Sequence, residues 1–269
     1  MGGTGRGTRA LVLGLAALVL VGCAGSPAPA RPQLPRHGSL TELVSAVAER
    51  QRIDRTARIS LRGELAGAAI TMKFTGEGVL RGVGSDVAVK FTQVVTRPDA
   101  DPQETGFVVL PDALYLLQPG RHTAARPWTR VDRSSTDPED QQLLAQAATL
   151  IDSADPARTI SRYAGATSIT ETAEDVIAGD PAVRYTLVVD LARAAALQPD
   201  PAVRAQLLQQ VRSGLTQITS NLWIDQLSRP VRLVVRQELP GIGTLSIMGS
   251  YRDWGRDVEI EAPPGSQVR

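Results

Sequence analysis

The sequence predicts an α+β domain built on an antiparallel sheet, and three observations carry that prediction. After Asp54 most of the chain alternates apolar and polar residues with period two, the pattern of strands that are wet on one face. A few stretches at helical spacing interrupt it. No second linker separates strands from helices, so one domain, residues 39–264, fits better than two.

In chain order, residues 1–22 read as an export signal. Arg6 and Arg9 form a positive start, Ala10 to Val21 is an apolar run, and small Gly22 follows. Its twelve residues are too few to cross ~30 Å of hydrocarbon as a helix. Residues 24–38 are Pro, Ala, Gly, Arg and Ser with hardly a large apolar side chain, so residues 23–38 read as an extended tether. Ser39 is a good N-cap with Glu42 at the capping-box place, and Leu43, Ala46 and Val47 share the face of the helix that follows.

Strands are expected at TARISLRGELA, AITMKFTGEGVLR, SDVAVKFTQVV, GFVVL, ALYLL and PWTRVD, with turn residues between them. Asp137 and Pro138 start a helix whose stripe is Leu143, Leu144, Ala147 and Ile151, and a shorter helix is expected from Pro156 to Tyr163. TSITETAEDVIAG and AVRYTLVVDL return to period two. From Asp200 to Ile218, Val203, Leu207, Leu208, Val211, Leu215 and Ile218 predict the clearest helix. NLWIDQLSRPVRLVVRQEL, GIGTLSIMGSYRDW and GRDVEIEAPP close the domain as strands, and residues 265–269 read as a tail.

Composition excludes several functions. Lysine plus arginine number 29 against 28 acidic residues, and loss of residues 1–22 removes two of those cations. No basic block with interleaved aromatics exists to track nucleic acid. His37 lies in the tether and His122 in PGRHTAARP, where each reads as a solvated loop residue. The single cysteine makes no intramolecular disulfide. HExxH, CxxC and GxSxG are absent, and GIGTLS and RGVGSD do not open helices. The clusters Asp99/Asp101 and Asp137/Glu139/Asp140 lack the spacing of a calcium loop. The expectation is therefore no enzyme, no metal and no cofactor.

Leu20-Val21-Gly22-Cys23, directly after the apolar run, resembles the lipobox of bacterial lipoproteins. The resemblance implies a diacylglyceryl group on the Cys23 thiol, cleavage before it, and anchoring to the outer face of the cell membrane. Two acyl chains, at ~0.8 kcal/mol per buried methylene, anchor stably where one does not.

LWIDQLSRPVRLVV resembles a hairpin of the LppX/LprA/LprF/LprG family of envelope lipoproteins, and SYRDWGRDVEIEAP is similar to that family's closing strand. ITETAEDVIAGDPAVRYTLVVDL is similar to its central strand pair. The likeness runs from about Ser39 to Pro263; residues 121–137 and 190–201 have no pattern that aligns. It implies a strongly curved antiparallel sheet, a half-barrel, with helices over its concave face and an apolar cavity between. It also implies carriage of lipids or acylated glycolipids across the envelope, with an envelope lipid exporter as a further partner.

The strand residues expected to line such a cavity are Ile59, Leu61, Met72, Phe74, Val89, Phe91 and Ile224. The helix residues are Leu143, Ala147, Leu207 and Val211. Alanines such as Ala145, Ala147 and Ala148 leave volume or pack tightly, and interiors normally reach crystal-like density. A filled-core lipoprotein that docks an envelope transporter or regulator through its loops is the alternative.

Overall fold

The computed structural model describes residues 34–68, 70–82, 87–117 and 126–269, the side chains at 146 and 148–154 excepted. The expected signal, Cys23, His122 and the side chains of Ala148 and Ile151 lie outside the described residues, as do residues 83–86 of RGVGSD.

Helix α1 (Leu40–Asp54) starts as the capping pattern predicts. Ser39 Oγ accepts from the Glu42 N–H at 3.2 Å, and the Glu42 carboxylate accepts from Gly38 N–H at 2.9 Å. It stops at Arg55, which adopts a left-handed φ of 64° and donates its N–H to Gln51 O. Six strands follow: β1 (Thr56–Ala66), β2 (Thr71–Arg81), β3 (Ala88–Arg97), β4 (Ala100–Val109), β5 (Ala113–Leu117) and β6 (Trp128–Asp132). Helices α2 (Pro138–Ala154) and α3 (Pro156–Ser161) then carry the chain to β7 (Thr167–Ile177) and β8 (Asp180–Asp190). Helices α4 (Leu191–Leu197) and α5 (Pro201–Arg212) precede β9 (Gln217–Ile224), β10 (Pro230–Leu239) and β11 (Gly243–Arg252).

All eleven strands of the described residues belong to one sheet, ordered β6-β5-β4-β3-β2-β1-β11-β10-β9-β8-β7. Every ladder between these strands is antiparallel. The chain meanders outward from β1 to β6, crosses under α2 and α3 to the far edge, and meanders back until β11 pairs with β1. This is an α+β fold whose sheet stays open.

One face of the sheet is covered by helices in three patches. Leu43 and Val47 of α1 pack on Val183, Tyr185, Leu222 and Ile224. Ala147 of α2, with Leu143 and Leu144 beside it, packs on Ile59, Val89, Phe107 and Leu114. Leu191, Ala194 and Leu207 of α4 and α5 pack with Val189 and Ile218. On the other face, Val79, Ala88, Val108 and Tyr115 of β2–β5 meet Ile260 and Val258.

Three expectations are corrected. The long helix ends at Arg212, not Ile218: Gly214 turns left-handed with φ +97°, the Gly214 and Leu215 N–H groups close back on Val211 and Gln210, and Ile218 joins β9. Leu215 and Ile218 fit a helical stripe by spacing, but glycine breaks it. GRDVEIEAPP forms no ladder; Val258 and Ile260 alternate inward as an extended strap. The expected tail is docked. Val268 bridges Trp128, and Arg269 N–H and C=O bond Trp128 and Arg130, which covers the exposed edge of β6.

Candidate functional site

Between the α1 and α2 patches the helix-covered face keeps an apolar hollow of about 270 Å³. Its floor is three register rows. Ile59 stands opposite Tyr251, Leu61 opposite Gly249, and Gly249 opposite Leu233, with Ile247 opposite Val235 one step on. Its wall is Phe91, Phe107 and Gln93. The phenyl rings of Phe91 and Phe107 lie 5.9 Å apart, tilted by 32°. Tyr251 closes one end, stacked on Trp254, whose indole N–H donates to Pro230 O at 2.8 Å. Burial pushes the Tyr251 phenol far above its ordinary pKa, so it is neutral. Gln93 alone brings a side-chain amide to the lining.

The same lining shows that the sheet bends. Phe107 on β4 and Leu233 on β10 are separated by five strand spacings, about 24 Å in a flat sheet. Both border one hollow of about 270 Å³, which requires the strands to wrap around it.

Glycines make the hollow. On β2 the inward positions between Ile59 and Leu61 of β1 and Phe91 and Gln93 of β3 are Gly78 and Gly76. A Cβ at Gly76 would lie 2.5 Å from Phe91 Cζ, and one at Gly78 2.6 Å from Phe91 Cδ2. The ring therefore lies flat across a strand that has no side chains there. Gly249 differs: a Cβ there would meet nothing nearer than Leu233 O at 4.0 Å. Its missing side chain is open cavity.

Of the residues expected to line a cavity, Ile59, Leu61 and Phe91 do so. Val89 is fully buried in the adjoining core with Leu143 and Ala147. Met72 and Phe74 lie on the same face, nearer the β1–β2 turn, with the Phe74 ring across Gly63. Ile224 is buried under α1, and Leu207 and Val211 belong to the α4–α5 patch. Among the described residues the lining comes from strands, and Leu143, Ala147, Leu207 and Val211 lie in the neighbouring core patches. Sequence reading missed Gln93 and Phe107 and the whole β10–β11 half: Leu233, Val235, Ile247, Gly249 and Tyr251. Period two in RPVRLVV and SIMGSY marks their faces, but only the β1–β11 pairing brings them beside Ile59.

His37 corrects another expectation. It is half-buried, stacks on Tyr185 with centroids 6.3 Å apart, donates its backbone N–H to Tyr185 Oη, and sets Nε2 3.2 Å from Ser228 Oγ. Burial lowers its pKa against a smaller opposing pull from Glu42. With Leu34 packed on the α1 core, the last residues before the helix are fixed to the domain.

No protein-family model and no curated protein matches the chain. Among solved structures it is similar to LprF from Mycobacterium bovis, at 16% identity over 84% of this chain and 97% of that one, TM-score 0.45. It is also similar to a putative outer membrane lipoprotein-sorting protein domain from Vibrio parahaemolyticus (11%, 82% and 94%, TM-score 0.31). A DUF1329 family protein from Desulfovibrio piger matches at 10% identity over 82% and 95%, TM-score 0.30.

Proposed function

We propose that this chain is an envelope lipoprotein, anchored through Cys23 to the outer face of the cell membrane, that carries a lipid by one acyl chain and catalyses no reaction. The observation that supports the reading best is the hollow over Leu61, Gly249 and Leu233: mostly apolar, with Gln93 and Tyr251 as its polar side chains, and floored by a glycine. An acyl chain there is held by burial, at ~25 cal/mol per Å² of apolar area removed from water. Gln93 is positioned to hydrogen-bond an ester or hydroxyl near the end of the chain.

Size narrows the ligand. A volume of about 270 Å³ lies just under the ~300–1,000 Å³ of common small-molecule sites. It suits one acyl chain and leaves the other chains of a multiply acylated glycolipid outside, along the half-buried trough of Leu65, Met72 and Leu245. The lipobox, the tether and the motif order of the sequence support the envelope setting, and transfer to an exporter is the role such a carrier would serve.

The test is direct. The full chain, purified from its native envelope, is predicted to carry extractable acylated lipid with one lipid per protein. Repeated preparations free of lipid would leave the docking-module alternative as the better account.

A further inference from the structure

The face of the sheet away from the helices carries a second, larger hollow, of about 860 Å³, whose lining mixes arginines, aspartates and serines with apolar side chains. Period two puts it there: Ser60, Arg62, Met248, Ser250 and Arg232 alternate with the residues that floor the apolar hollow. The hairpin tips of β7–β8 and β9–β10 and the turn after β11 form its rim.

Most of its charges are already matched. Arg229 is paired with Asp54 at 2.7 Å, Arg252 with Glu77 at 3.1 Å, and Asp253 with Arg58 and Arg256. Asp225 is turned into its own loop, where Oδ1 accepts from Leu227 and Arg229 N–H groups. Asp180 stands at the rim. Two cations are left with no ion pair among the described residues, Arg62 and Arg232.

Arg232 is the more informative. Its Nε is buried and has no acceptor among the described residues, a condition native proteins seldom tolerate without a ligand or water. Its guanidinium is held over the Trp223 ring, 6.0 Å from the centroid. Asp175 feels its charge, yet both Asp175 oxygens are taken, by Trp223 Nε1 at 2.8 Å and Val176 N–H at 2.7 Å. Arg232 stands opposite Ser250, which stands opposite Ser60, and Arg62 lies one same-face step along β1. That row spans about 10 Å from backbone to backbone, with Arg232 at one end, two hydroxyls along it and Arg62 one step beyond its other end. Arginine forks are the donors that suit a tetrahedral oxyanion.

We infer that the groove between Arg62 and Arg232, over Ser60 and Ser250, binds a phosphate group. The phosphate belongs to a soluble phosphate compound or to the headgroup of an anionic phospholipid; the site is separate from the apolar hollow and independent of the carrier reading.

The full chain in phosphatidylcholine nanodiscs is titrated with inorganic phosphate at constant ionic strength, by calorimetry and by the fluorescence of Trp223 and Trp254. The inference expects saturable binding that Arg62→Gln and Arg232→Gln each weaken about tenfold. Arg232→Lys keeps the charge but loses the Nε donor and also weakens it. Arg62 is exposed, so its variant folds even where changes at Arg232 disturb Trp223. A second series adds phosphatidylglycerol to the discs. Displacement of phosphate in wild type but not in the arginine variants identifies a headgroup as the source, and no displacement identifies a soluble phosphate compound. No saturable response in either disc, or binding that both glutamine variants retain in full, overturns the inference.

Discussion

Gly249 and Gly76 are both inward glycines of the sheet, and the space around each makes opposite predictions. At Gly249 a Cβ has open room, its nearest neighbour being Leu233 O at 4.0 Å. Gly249→Phe is therefore expected to fold cooperatively and to lower lipid occupancy at least about tenfold, by filling the place of the acyl chain. At Gly76 a Cβ meets Phe91 Cζ at 2.5 Å and Thr92 O at 3.0 Å. Gly76→Val is expected to cost about 1–3 kcal/mol in chemical denaturation, the ordinary range for overpacking. Phe91→Ala in that background should recover part of the loss, so the double mutant costs less than the sum of the two singles. Additive losses would mean that the ring is not what Gly76 accommodates. Asp54 is a third informative residue, 4% exposed and held by forks from both Arg50 and Arg229. Asp54→Asn is expected to destabilise by about 2 kcal/mol, less than the 3–5 of a fully buried pair because both arginines reach water.

At the scale of elements, α1 is fixed at both ends. Asp54 ties its last turn to Arg229 of the β9–β10 turn, and His37 ties its approach to Tyr185 of β8 and Ser228 of the same turn. Burial would raise the Asp54 pKa, but hydrogen bonds and charge from Arg229 and Arg50 outweigh it and hold the carboxyl below its ordinary range. A lowered carboxyl pKa gives stability that is present above the unfolded value near 3.8 and is lost as pH falls through the folded one. His37 has its pKa lowered mainly by burial, so the docked segment favours the neutral ring. That contribution is complete above the unfolded value near 6.5 and fades as pH falls below it. Relative to intrinsic exchange rates, the protection of residues 34–38 is expected to fall between neutral pH and pH 5, while that of α2 is unchanged; equal protection at both would contradict the anchoring role. Most elements were legible in the sequence because period and caps are local: Ser39, Asp137 and the two-residue alternation of β1, β2 and β8 needed no partner to be read. The end of α5 was not, because Leu215 and Ile218 satisfy the helical spacing and only the left-handed turn at Gly214 decides against it. Lining residues on helices were misplaced for a related reason. Spacing marks which side of α5 is apolar but not that this side meets α4, so Val211→Trp is expected to leave lipid loading unchanged.

For the whole molecule, the decisive feature is the return of the chain. β11 comes back to pair with β1 after the meander has run out to β6 and in again from β7, and this single non-local ladder sets Gly249 beside Leu61 and Tyr251 beside Ile59. No local pattern encodes it, which is why Ile59, Leu61 and Phe91 could be read from sequence and the β10–β11 side could not. The two faces of that ladder then serve two chemistries: apolar under the helices and arginine-lined on the other side. The account rests on the apolar face holding an acyl chain. Native mass spectrometry of the chain isolated from its own envelope, wild type beside Gly249→Phe, tests this most directly. The account predicts one lipid per wild-type protein and little or none on the variant, with both equally folded; lipid-free wild type, or equal loading of the two, would contradict it.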